Sequence, residues 1–437
     1  MKNMTRMPTI DPGVPALVLR LDRNPFHHGT LGAVRSLGRA GVEVHAVVES
    51  ARSPVARSHY LHRAHVRPPG ELRPEAFVDL LLDVSDRIGR PAVLIAMDDL
   101  GAVSVAANAP RLVQRFLFPD QAADATAALA DKAELVRLCE RAGIAHPETV
   151  VPKSAAEAAA AVRQLGLPLV AKWSRPWLLD PRTGLRSTSL VTSPAAVQRL
   201  FERTGQAGSR LLLQRLLPEG PYCDWFFHGY FSRRSDLLLG GTGRKELAWP
   251  PGAGLTAKGS WQHNDEVWAA ALRLVAHSGY RGILDLDFRR DPADGAYRLL
   301  DVNPRPGAQF RLFTDEGGLD VVRSLYLDLT GSPVPRAAGR PGRVFVAENY
   351  ALLSAVAAVR HRTPGRAGAA HRGVETAWFA HDDLPPFLAM AAAWLRRGLV
   401  KGTDRLRPLP RQRTSPSTAG PKARPEGAGT ASCTTWQ

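Results

Sequence analysis

The sequence predicts an α/β and α+β multidomain protein, on three observations. Strands and helices alternate over residues 16–96. From Asp131 the order of elements changes. Two acidic, apolar strands flank a five-residue turn at Asp291–Gly295. A βαβ alternation implies a parallel sheet covered by helices. At 437 residues the chain has room for about two to four domains. Its 44% apolar and 22% charged residues are enough to build real cores.

The first unit starts with a buried strand, Ala16–Leu21, then a loop carrying His27, His28 and Gly29. A helix over Leu31–Ala40 follows, closed by Gly41, and then a second strand, Val42–Val48. A helix over Glu75–Ile88 leads to a strand at Ala92–Ala96. The first loop lacks the G-x-G-x-x-G spacing that lets a backbone approach a pyrophosphate, so no dinucleotide site is read there. Asp98 and Asp99, just past the last strand, are either helix caps or substrate contacts.

The second unit opens with an amphipathic helix, Lys132–Ala142, ended by Gly143. Next come a helix over Ala155–Leu165, a short strand over Leu167–Ala171 with Lys172 at its end, and a strand over Ser187–Thr192. A helix over Ala195–Arg203, a strand over Leu211–Leu216 and a turn at Pro218–Gly220 complete this part. After Thr330 the chain turns rich in Pro and Gly, with a helix near Leu388–Arg397. Residues 401–437 are polar, basic and Pro-rich, a composition that reads as a disordered tail.

The strands Ile283–Arg289 and Ala296–Val302 are joined by Asp-Pro-Ala-Asp-Gly, a turn sequence. If Arg290 faces Ala296, Asp285 falls opposite Asp301 and Asp287 opposite Leu299, with Asn303 on the same face. Leu284, Leu286, Phe288, Leu300 and Val302 then point to the core. Three carboxylates and one amide on one face need a counter-charge. Hard oxygens at this density suit Mg²⁺, and the alternative is a solvated face paired with Arg289 or Arg298.

The strand continues as Asp301-Val302-Asn303-Pro304-Arg305. An acidic-x-Asn-Pro-Arg ending resembles the metal- and phosphate-binding strand of ATP-grasp enzymes. Other pieces fall in the same order. Asp131-Lys132 resembles the start of the family's small nucleotide-binding lobe, and Lys172 its second phosphate-binding lysine. Gln214 resembles the hinge strand whose backbone holds adenine. Asp287, Asp301 and Asn303 match the metal ligands, with Asp285 the rival of Asp287 under another register. Arg305 matches the arginine near the transferred phosphate, and Arg244 is a further candidate for the acyl phosphate. FAHDDLPPF, Phe379–Phe387, resembles the C-terminal end of a bacterial subgroup of ATP-grasp carboligases.

The resemblance implies a Rossmann-like N-terminal substrate domain over 1–120 and a two-lobed ATP-grasp domain over 121–330. A C-terminal segment over 331–400 and the basic tail over 401–437 follow. It implies an ATP-dependent ligase that activates a carboxylate as an acylphosphate and joins it to an amine or similar nucleophile. ATP and one or two Mg²⁺, or Mn²⁺ in their place, are the expected cofactors. The expected partners are small molecules, and homodimers are common among such enzymes. Two departures stand out. Both acidic metal positions are Asp where the family usually has Glu at one or both, and the loop Trp173–Ser189 holds only Gly184 where the family often has a Gly-rich cover. Arg182, Arg186, Ser187 and Thr188 are the candidates to supply donors instead. The double Asp keeps open an ATP-binding homologue without ligase activity.

The net charge of +16 raises a third class, a nucleic-acid binder. The tail from Lys401 carries seven Lys/Arg against two Asp/Glu. The aromatics, 7% of the chain, are not interleaved with a basic stripe as in stacking platforms. The N-terminus has no apolar h-region, the run Pro385–Leu395 is too short to span a bilayer, and the three Cys form no C-x-x-C. The expectation is a soluble, reduced, cytoplasmic protein with no membrane partner.

Overall fold

A computed structural model describes residues 10, 12–70, 73–250, 254–335, 339, 341–360 and 373–406. Of the tail expected at 401–437, residues 401–406 instead continue a helix that ends at Leu406, and the rest lie outside the described residues.

The N-terminal part runs β1 (Ala16–Leu19), α1 (His28–Gly38), β2 (Val44–Val48), β3 (Arg63–Val66), α2 (Pro74–Ile88), β4 (Ala92–Ala96), α3 (Asp99–Ala107), α4 (Ala109–Leu112) and β5 (Phe116–Leu117). The five strands form one parallel sheet in the order β3-β2-β1-β4-β5. Every residue of β1 and β2 is buried, as strands covered on both faces must be. Strand order reverses beside β1, so the crevice beyond the carboxyl ends of β1 and β4 is where such a sheet receives ligands. The sequence reading missed β3. Its four residues, Arg-Ala-His-Val, sit at the sheet edge and are too few to show a period.

Next come α5 (Ala123–Ala130), α6 (Lys132–Ala142), β6 (Thr149–Val150), α7 (Ala155–Leu165), β7 (Leu169–Trp173), β8 (Thr188–Val191), α8 (Pro194–Glu202), α9 (Thr204–Ala207) and β9 (Leu211–Arg215). The strands pair as an antiparallel sheet in the order β6-β9-β7-β8. Asp131 caps α6 by accepting from the Ala133 amide at 2.9 Å, and Gly143, at φ 60°, ends it.

The largest sheet is built from β10 (Asp224–Phe231), β11 (Leu237–Trp249), β12 (Leu255–Trp261), β13 (Gly282–Arg290) and β14 (Tyr297–Asn303), with α10 (Asp265–Ser278) between β12 and β13. After α11 (Val321–Leu329) the chain adds β15 (Val344–Val346), α12 (Glu348–Arg360), β16 (Val374–Thr376) and α13 (Pro385–Leu406). The order is β14-β13-β10-β11-β12-β15-β16, so β14 is an edge strand and the last two strands extend the opposite edge.

Alternation sends Phe227, Phe231, Leu284, Leu286 and Phe288 to one face, against α10 and α6. The other face, with Phe226, Tyr230 and Ile283, shares a core with α11, α1 and the N-terminal sheet. Burying one such Phe contributes roughly 1.5–3 kcal/mol. Glycines make room for these rings: a Cβ on Gly241 would lie 2.3 Å from Phe313. No helix among the described residues is long and apolar enough to cross a membrane.

Candidate functional site

The turn after β13 closes with the Asp291 amide donating to the Ala296 carbonyl, so Arg290 pairs with Tyr297 rather than with Ala296. A bulge next to Asp287 then adds Leu300 as an extra residue on β14. The register expected from a simple hairpin is therefore wrong. Asp287 stands directly opposite Asp301, and Asp285 opposite Asn303. Leu299 takes the core place expected for Leu300, which is left half-buried at the rim of a crevice.

Two facing aspartates need counter-charges, and other elements supply them. Lys132, first residue of α6, pairs with Asp301. Lys245 on β11 reaches Asp287 at 3.4 Å. Burial and the neighbouring Asp285 and Asp301 push the Asp287 carboxyl above its ordinary value, against the pull of Lys245. Burial works against ionised Asp301 too, but Lys132 and Lys172 outweigh it and hold this carboxyl below the usual range. Arg289 and Arg298, the alternative partners, turn elsewhere: Arg289 to Asp224, Arg298 to Asp291 and Asp294.

Lys172, on β7, donates to the Leu300 carbonyl at 2.9 Å. Burial, with Lys132 nearby, lowers its ammonium to about 8 even though Asp301 opposes the shift. Gln214 on β9 is buried and donates to Thr149 Oγ1 at 2.9 Å. Lys132, Lys172, Leu212, Gln214 and Leu300 line one narrow crevice between the small sheet, α6 and the β14 edge. The structure thus brings Lys132, Lys172 and Gln214 together beside Asp301.

Arg305 lies just past β14 and bridges two units. Its Nε donates to Asp99 at 3.2 Å, at the start of α3, and its Nη1 to Asp285 at 3.4 Å. Asp285 also accepts from Asn303 Nδ2 at 3.2 Å and binds His228 of β10. Burial disfavours ionised Asp285, but His228, Arg305 and Lys245 prevail and lower its carboxyl. Phe226 and Phe313 pack around the imidazole. Gly307 closes over the pair: a Cβ there would fall 2.3 Å from His228 Nε2, so no other residue fits without displacement. Asp98 caps α3, accepting from Gly101 N at 2.7 Å, while Asp99 is the one that faces the cluster. Arg244 stacks on Tyr222, 4.1 Å from the ring centroid. In the Gly-poor loop, Asp180 caps a turn and holds Arg182 at 2.7 Å.

Sequence reasoning missed His228 and Lys245. A lone His in the apolar run DWFFHGYF was the available signal, since a buried polar side chain requires a partner. Nothing local marks Lys245.

The donors at Asp287, Asp301 and Asn303 are hard oxygens, with the Asn303 nitrogen turned to Asp285 and its carbonyl oxygen the atom left for a cation. This set fits Mg²⁺ or Mn²⁺ and not a soft metal. Four cations stand around this set: Lys132, Lys245 and Arg305, each paired with an aspartate, and Lys172, held by the Leu300 carbonyl.

No family model matches the chain, and no curated protein matches it by sequence. Solved structures do. N5-carboxyaminoimidazole synthetase from Staphylococcus aureus aligns at TM-score 0.56 and 12% identity, over 76% of this chain and 81% of that one. L-amino acid ligase from Bacillus licheniformis aligns at 0.57 and 13%, over 76% and 79%. The biotin carboxylase domain of the Hydrogenobacter thermophilus 2-oxoglutarate carboxylase, solved as a dimer with MgADP, ADP and bicarbonate, aligns at 0.56 and 15%, over 75% and 73%. At these identities what is shared is the fold.

Proposed function

Starting from the ATP-grasp fold that this chain has, we propose that it is an ATP- and Mg²⁺-dependent ligase that activates a carboxylate and joins it to an amine or similar nucleophile. The observation that carries the reading is Asp287 set directly opposite Asp301, with Lys132, Lys172, Lys245 and Arg305 converging on the same hairpin. Asp287, Asp301 and Asn303 would hold Mg²⁺, which when bound supplies charge neutralisation and orientation for the terminal phosphates. Lys132 and Lys172 are placed to exchange their present partners, Asp301 and the Leu300 carbonyl, for phosphate oxygens. At Gln214 the β9 backbone is paired on both sides, with Thr149 and Val170, so the adenine would find its backbone partners in the residues just past β9.

A substrate carboxylate oxygen attacks the γ-phosphorus, the bond to the β-phosphate oxygen breaks, and ADP leaves. The amine then adds to the acyl carbon, and phosphate departs as the amine loses its proton. Arg305 stabilises the charge on the transferring group, and Asp99 and Asp285 fix its guanidinium from either side. The domain limits given above and the crevice beyond β1 and β4 as the carboxylate's entry belong to the same proposal.

The test is thermal unfolding with Mg²⁺-ATP, followed by ADP release with panels of carboxylates and amines. At about 100 times its dissociation constant the nucleotide adds roughly 2.7 kcal/mol of stability, and Asp301→Ala should abolish the gain. Equal gains in both proteins would sink the assignment. A second reading, nucleotide binding without ligase activity, draws on the shorter Asp at both metal positions. It predicts the same thermal gain and no ADP with any pair tested.

Lys172 adds a pH signature. Free Lys172 loses its proton near pH 8, whereas a bound phosphate would keep it charged. Nucleotide affinity is therefore expected to fall as pH rises through 8, and binding there to take up protons. Calorimetry in buffers of different ionisation enthalpy reads the uptake. Lys172→Arg, charged throughout this range, should flatten the profile; an unchanged slope would remove Lys172 from the phosphate site.

A further inference from the structure

The N-terminal ends of β2 and β3 lie at the opposite end of their sheet from the Arg305 cluster. There Glu43, just before β2, His45, its second residue, and His62, just before β3, turn toward one point. One ligand atom from each lies within 4.8 Å of the other two. His45 Nε2 is 2.9 Å from Glu43 Oε1, and His62 Nε2 is 4.0 Å from the same oxygen. Tetrahedral Zn²⁺ with bonds of about 2.0–2.1 Å sets its ligands roughly 3.3–3.4 Å apart. A small turn of the exposed His62 ring meets that spacing.

A second observation supports the site. His45 is buried, and its Nδ1 lies 3.0 Å from Nε2 of buried His65, with the rings stacked at 5.3 Å. His65 Nδ1 has no hydrogen-bond partner. Without an ion, His45 Nε2–H donates to Glu43 Oε1 and Nδ1 accepts from His65 Nε2–H; a bound ion would take the place of the Nε2 proton, which leaves to solvent, and Nδ1–H would then donate to His65 Nε2. An outer partner that fixes the tautomer of a ligating imidazole is the usual support of a metal site. Arg90 holds the other Glu43 oxygen, Oε2, at 2.7 Å and so orients Oε1 toward the imidazoles.

We propose that Glu43, His45 and His62 bind one Zn²⁺ ion, with water in the fourth position and His65 as the outer support of His45. Two nitrogens and one carboxylate oxygen suit Zn²⁺, and they differ from the all-oxygen set at Asp287 and Asp301. The ion ties the start of β2 to the segment leading into β3.

The experiment titrates the untagged full chain with Zn²⁺ by competition against a chromophoric chelator, in millimolar Mg²⁺. Co²⁺, whose visible spectrum reports tetrahedral coordination, serves as a second probe. One ion per chain is expected. His62→Ala and Glu43→Gln, both at partly open side chains, should each weaken it at least about tenfold while leaving the metal-free unfolding midpoint unchanged. His59→Ala, which removes an exposed imidazole paired with Asp383, should leave binding intact. Zn²⁺ affinity unaffected by His62→Ala and Glu43→Gln, or lost instead in Asp301→Ala, would overturn the proposal, as would no binding at micromolar Zn²⁺.

Discussion

Asp383→Ala is expected to destabilise the protein by about 3–5 kcal/mol, the effect of stripping a buried ion of its partner. Asp383 and Arg35 of α1 are both fully buried, 2.8 Å apart. Asp383 also accepts from Ser58 Oγ at 2.7 Å and from the His59 amide at 3.2 Å. Arg35 Nη2 donates to the carbonyls of Trp378 and Asp383. Removing the carboxylate strands a guanidinium that has no water to turn to. The neighbouring Asp382 is the contrast. It meets Arg39 through two 2.8 Å bonds, but both side chains keep about a quarter of their exposure, so Asp382→Ala should lose only about 1 kcal/mol. The Arg39 hydrogen bond holds Asp382 well below the usual carboxylate range. Its contribution is complete above the unfolded value of about 3.9 and is lost as pH falls below it. Denaturant unfolding of the two variants at neutral pH separates the cases; equal, small losses would refute the buried-pair account.

Asp285→Ala is expected to have a comparable effect on stability and a larger one on turnover. His228 and Asp285 keep only 1% and 7% of their side-chain exposure, and the carboxylate also meets Arg305 and Asn303. Its removal leaves Arg305 with Asp99 and the Pro306 carbonyl, and frees the Asn303 amide. The double replacement His228→Phe with Asp285→Leu removes the buried charge together with its partner, so it should recover much of the stability. Under the proposed role of Arg305 on the transferring group, activity should stay low in both, through kcat more than KM. Turnover that recovers along with stability would mean that the pair serves the fold alone.

The N-terminal sheet and the acidic face of the hairpin were legible because they are local patterns: a strand–helix alternation, and a period of two around a turn. The register was not. Neither the one-residue shift at the turn nor the extra residue at Leu300 has a mark in the sequence, yet together they move Asp287 from opposite Leu299 to opposite Asp301. Strands β10 to β12 went unread for a related reason. Gly229, Gly240, Gly241 and Gly243 look like turn residues, but in the sheet they make room for Phe226, Phe227 and Phe313. His228 and Lys245 come to the site through the pairing of β10 with β11 and β13, a non-local fact. Asp99 comes from the start of α3, beyond a strand of a different sheet. Charge compensation at the site was foreseeable as a need; Lys132 and Arg305, which meet part of it, were legible as site residues, while Lys245 and His228 were not.

The ion pair between α1 and the Phe379–Phe387 stretch spans 348 residues of sequence. At about 5–20 residues per second of synthesis, roughly 17–70 s separate the making of Arg35 from the making of Asp383. Throughout that interval the first sheet of the nascent chain has a helix carrying a cation meant for the interior and no counter-ion to bring in with it. The α1 helix is completed by a stretch made 348 residues later, so the ribosome's schedule runs against the order in which its sheet can mature. Until Asp383 arrives, α1 stays open to whatever holds unfinished chains in the cell.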